Sequence, residues 1–183
     1  MEDTPLPVRN GIPKPRSTTA AVGQGARSGW PFAIGATALV IGALIYVTDR
    51  DPSRAVWMPA FAAWPGPAWF GGAGGWLPSF VHPLSFSLMC AAVSRPRARP
   101  AYAICAFWGL LNAVFECGQH PLVAMSIAAW LTNVAGGFAP ARVLGQYFVR
   151  GTFDLGDLIA CIAGAIVAAA LLNAFHTPRR ELA

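Results

Sequence analysis

The chain has 183 residues, 55% of them hydrophobic and 11% charged, with a mean hydropathy of +0.49. Too few polar side chains remain to solvate the surface of a water-soluble domain, so the composition predicts an integral membrane protein. The net charge of +5 sits in clusters beside apolar runs, which is a topology signal rather than a nucleic-acid surface.

Residues 1–29 combine Pro5, Pro7, Pro13 and Pro15 with Arg9, Lys14, Arg16 and Arg27. Such a segment cannot bury enough apolar area to offset its ordering entropy and is expected to be a disordered cytoplasmic tail. It does not resemble a cleaved signal peptide: the basic region is long, and Thr48-Asp49-Arg50-Asp51 offers no small-residue cleavage site. Residues 30–176 form the membrane domain, and residues 177–183 a second cytoplasmic tail.

Four apolar runs follow, Trp30 to Val47, Gly75 to Ser94, Ala101 to Phe115 with an extension to Gly118, and Asp157 to Phe175. Each is close to the roughly 20 residues that carry a helix across about 30 Å of hydrocarbon. The runs are continuous rather than alternating, which favours helices over a β-barrel. The predicted fold is an all-α, polytopic membrane bundle of four transmembrane helices, with a fifth possible. Trp57, Trp64, Trp69, Phe61 and Phe70 lie between the first two runs, and aromatic rings favour headgroup depth, so this loop is expected along the outer membrane surface.

In the second run, Pro83 kinks the helix or starts it anew. The preceding His82 then reaches the depth of Glu116 on the adjacent antiparallel helix. Leu122 to Phe138 is apolar but interrupted by Thr132, Asn133, Gly136 and Gly137. It reads either as a re-entrant or interfacial helix or as a fifth span. Charge does not decide between them, because both arrangements leave nine basic residues against four. In the last run Gly156, Ala160, Gly164 and Ala168 recur every four residues, a close-packing face for a helix of the same chain or of a second copy. Ala38 and Gly42 give a weaker signal of the same kind. The four cysteines, Cys90, Cys105, Cys117 and Cys161, have no C-x-x-C spacing and read as small buried hydrophobes.

With four spans, Arg9, Lys14, Arg16, Arg27, Arg95, Arg97, Arg99, Arg179 and Arg180 fall on one side, nine of the thirteen basic residues. The positive-inside rule makes that side cytoplasmic, with both termini there and the protein multi-pass in the inner membrane.

The polar residues cluster at the opposite ends of the helices. Asn112, Glu116 and His120 follow at four-residue spacing, and Gln119 lies three beyond Glu116, so they share one helix face. Asp154 and Asp157 are three apart where the last helix begins, and Asp154 is placed to cap it. Glu116 has no such explanation. It lies at a C-terminal helix end, where the macrodipole disfavours an anion, and Arg142 and Arg150 are its expected partners. The candidate polar site is Glu116, Gln119, Asp154, Asp157, His82, Arg150 and His120. Three chemistries fit: a divalent ion, though without recognisable ligand spacing; proton exchange with a polar substrate while arginine holds its phosphate or carboxylate; or the gate of a small pathway. No cofactor or metal is assigned, and no catalytic roles.

The segments F-V-H-P-L-S-F, F-E-C-G-Q-H and G-T-F-D-L-G-D-L-I-A-C-I-A-G-A resemble the VanZ-like family of small bacterial membrane proteins over roughly Phe80 to Ala168. The matching positions are His82, Glu116, Gln119, Arg150, Asp154, Asp157 and Gly164. The stretch between Gln119 and Gly151 is longer than the short connection usual in that family. The resemblance implies that Glu116-x-x-Gln119 and Asp154-x-x-Asp157 lie on one side of the membrane, which favours four spans. It also implies a cell-envelope role related to glycopeptide resistance, with a lipid-linked or anionic envelope ligand. The other expected classes are a structural or assembly subunit, with a homo-oligomer through the Gly156 to Ala168 face, and a small oligomeric transporter.

Overall fold

Every described segment of regular structure is helical. The computed structural model describes residues 29–49, 66–94, 98–135 and 138–176, so the N-terminal tail, the C-terminal tail and most of the aromatic loop lie outside the described residues. The helices are α1 (Gly29–Thr48), α2 (Ala73–Ser94), α3 (Ala98–Gly118), α4 (Pro121–Val134), α5 (Ala139–Arg150) and α6 (Leu155–His176). Four of them, α1, α2, α3 and α6, contain segments of 20, 22, 19 and 21 residues that are long and apolar enough to cross a membrane. α4 has 14 residues, about 21 Å of helix, too short to cross about 30 Å of hydrocarbon.

α2 is the central helix and packs against α1, α3 and α6, while α6 also packs against α3. Its position follows from the small residues on its neighbours. A side chain at Gly164 of α6 would run into the Phe80 carbonyl and the Pro83 ring. Ala160 and Ala168 are buried on the same face. At Gly164 and Ala168 the strip of small residues in the last helix is therefore covered from within the chain by α2, while Gly156 is exposed. On α1, a Cβ at Gly35 would come within 2.9 Å of the Ser85 carbonyl, and one at Gly42 within 3.1 Å of Val81. Close backbone approach, rather than bulky interdigitation, joins the three helices. Leu84, Leu88 and Ala91 of α2 then meet Ala101 and Cys105 of α3 and Ala168 and Leu172 of α6 in the buried core. All four cysteines are free, with Cys105 and Cys161 buried.

A carboxylate closes the connection between α1 and α2. Asp49 follows the last residue of α1 and accepts hydrogen bonds from the Thr48 hydroxyl at 2.5 Å, the Trp69 amide at 3.0 Å and the Phe70 amide at 2.8 Å. Gly71 then turns the chain with φ of 53°, a left-handed conformation that favours glycine. Desolvation pushes the Asp49 pKa up. The hydrogen bonds from Thr48 and from the Phe70, Trp69 and Gly71 amides outweigh it and hold the carboxyl below its usual value.

The segment between α3 and α6 is a helical hairpin. His120 caps α4, its Nδ1 accepting from the Leu122 amide at 3.3 Å, and Pro121 occupies the first turn where a missing N–H is harmless. α4 and α5 pack on each other, with only limited contact from α4 to α3. The chain then re-enters the bundle at Asp154, which caps α6: its Oδ1 accepts from the Gly156 amide at 2.7 Å, and its carbonyl from the Leu158 amide at 3.1 Å. Leu122 to Phe138 is thus no fifth span.

Candidate functional site

A side-chain to backbone hydrogen bond joins the two acidic motifs. Glu116, 7% exposed in the last turn of α3, accepts at Oε1 from the backbone amide of Asp154 at 2.8 Å. The C-terminal end of α3 is unfavourable for an anion, and the N-terminal end of α6 is favourable, so placing the carboxylate between them offsets its poor position on its own helix. The two residues are separated by 38 positions. The α4–α5 hairpin is the loop that brings them back together.

Gln119 locks the next layer. Its Nε2 donates to the Tyr147 hydroxyl at 2.8 Å, and its side chain lies against Gly151, where any Cβ would collide with it. Tyr147 and Phe148 of α5 pack on Phe115, with ring centroids 5.9 and 5.5 Å away. Burial, reinforced by electrostatic interaction with Tyr46 and Glu116, pushes the Tyr147 phenol up to about 12 despite the Gln119 bond. It therefore stays protonated and neutral at physiological pH.

Asp157 lies in the first turn of α6, half-buried. Glu116 and Asp157 are both within electrostatic range of Cys161, one turn further along α6. His82 of α2 stacks between Tyr46 of α1, at 6.0 Å, and Phe86, at 6.2 Å. His120 packs edge-on against Phe153 at 5.3 Å, beside the motif rather than within the Glu116 bond. Arg150 and Arg142 are exposed and line a groove between α4 and α5. The Asp154 amide is a main-chain donor to Glu116.

The structure thus brings together Glu116, Gln119 and Asp154, with Asp157 one turn inside, and sets Arg150 on a different surface. Two residues that sequence reasoning passed over belong to the same end of the bundle, Tyr46 and Tyr147. The chain has only three tyrosines, and the third, Tyr102, donates to Asn173 at 3.1 Å elsewhere. A scarce hydroxyl inside the apolar α1 run was the available signal.

Among the described residues, no group of three or more His, Cys, Asp and Glu side chains is placed to hold a metal ion. Chemically, the arrangement offers a buried carboxylate, a half-buried carboxylate, an amide and a neutral phenol, a set able to hydrogen-bond a polar group at the end of an apolar bundle. No family model, curated protein or solved structure matches the chain.

Proposed function

We propose that this membrane protein is of the VanZ-like type and that the end bearing Glu116, Gln119, Asp154 and Asp157, with His82 behind it, faces outward and binds or acts on a cell-envelope component. The observation that carries the reading is the bond from the buried Glu116 to the Asp154 amide. It supports a single site built from two motifs that are distant in sequence. An ionisable residue held inside an apolar bundle is expensive, and its usual justification is function. The basic clusters before α1, between α2 and α3 and after α6 support a cytoplasmic location for both termini and an outward one for the site.

Envelope phenotypes of a deletion strain, glycopeptide sensitivity first, test the proposal. Glu116→Gln keeps an oxygen that can accept from Asp154, and Asp157→Asn keeps the size of its side chain. Both variants are expected to accumulate normally and fail to complement. Full complementation by both would overturn it.

The same bond favours a second reading, a structural or assembly subunit in which Glu116 only pins α3 to α6. On that reading Glu116→Gln complements in proportion to its abundance, and Glu116→Ala is lost from the membrane.

A further inference from the structure

We infer that the groove between α4 and α5 is a receptor for the phosphate of an anionic lipid headgroup. The inference takes its ligand class from the envelope reading above but locates recognition on different residues. The groove encloses about 260 Å³ and is lined by Arg142, Gln146, Val149 and Arg150 of α5 and by Ala128 and Thr132 of α4. Arg142, Gln146 and Arg150 follow at four-residue spacing and share one face of α5. The two arginines are about 12 Å apart along the axis, within joint reach of one phosphoryl group centred over Gln146.

Charge points to an anion. Neither α4 nor α5 contains an aspartate or glutamate, so the hairpin carries two guanidinium groups with no acidic residue of its own. The carboxylates where it rejoins the bundle are engaged elsewhere, Glu116 with the Asp154 amide and Asp154 with the Gly156 amide. Guanidinium is the side chain best suited to phosphate oxygens, and Gln146 adds a neutral donor.

Position points to a lipid. Both ends of the hairpin lie at the same end of the bundle, where α3 finishes and α6 starts, and α4 is too short to cross. The hairpin also exposes Leu122, Met125, Trp130, Val134, Phe138 and Val143. Exposed apolar side chains, a tryptophan among them, together with arginines are what an interfacial element presents to acyl chains and headgroups.

The test is native mass spectrometry of the full chain released from nanodiscs of phosphatidylcholine containing phosphatidylglycerol. The wild type is expected to retain phosphatidylglycerol over phosphatidylcholine, and the Arg142→Gln/Arg150→Gln double variant to lose that preference by at least about tenfold. Arg142→Lys/Arg150→Lys guards against misfolding and is expected to keep most of the retention, since the charge persists. Equal retention by wild type and the glutamine variant would overturn the inference, as would equal loss in the glutamine and lysine variants. Displacement of phosphatidylglycerol by millimolar inorganic phosphate would reassign the groove to a free anion. The envelope reading fails separately, through complementation by Glu116→Gln and Asp157→Asn.

Discussion

Glu116 gives the sharpest residue-level expectation, because its two simplest replacements separate chemistry from architecture. Glu116→Ala leaves the Asp154 amide without its acceptor in a buried place and is expected to destabilise the protein by about 1–3 kcal/mol, read as a lower thermal midpoint in detergent. Glu116→Gln should retain most of that stability. Asp49 makes a pH-dependent contribution. Its folded pKa is held below the ordinary value of 3.8, so its stabilisation is present above that value and is lost as pH falls through the folded pKa. Acidification below about pH 4 should therefore lower the thermal midpoint of the wild type more than that of Asp49→Asn. Parallel curves would remove Asp49 from the account. The sequence identified Glu116 as the anomaly but offered only side chains as its partners. A backbone amide also donates to it, and a residue-by-residue reading has no way to see which main-chain donor a fold will deliver.

At the scale of elements, the contact that decides the bundle is Gly164 against the Phe80 carbonyl. Backbone cannot give way as a flexible side chain does, so Gly164→Leu must separate α6 from α2. It is expected to destabilise by about 1–3 kcal/mol or more, measured by thermal unfolding in detergent, whereas Gly75→Ala, with open space around it, should be close to neutral. Four-residue spacing of small side chains made this face legible from the sequence, but not whether its neighbour belongs to the same chain or to a second copy. Gly35 was not legible in the same way. It lies seven positions before Gly42 in an alanine-rich helix, and only the approach of the Ser85 carbonyl singles it out. The spans themselves were legible because their lengths are dictated by bilayer thickness. The hairpin was not, since a mostly apolar stretch of 17 residues lies between what crosses a membrane and what rests on one.

For the whole molecule, one consequence of that hairpin is decisive. If α4 and α5 return the chain to the end from which it left, the Glu116 and Asp154 motifs form one site at one membrane face. If the chain crosses between them, there is no shared site. The measurement that decides this places single cysteines at Leu122, at Thr152 and, at the opposite end of α2, at Ser94, in a background with Cys90, Cys105, Cys117 and Cys161 replaced. Each is exposed to a membrane-impermeant thiol reagent on intact and permeabilised spheroplasts. Leu122→Cys and Thr152→Cys are expected to label together from outside, and Ser94→Cys only after permeabilisation. Labelling of the first two from opposite faces would contradict the four-span fold and the site built on it.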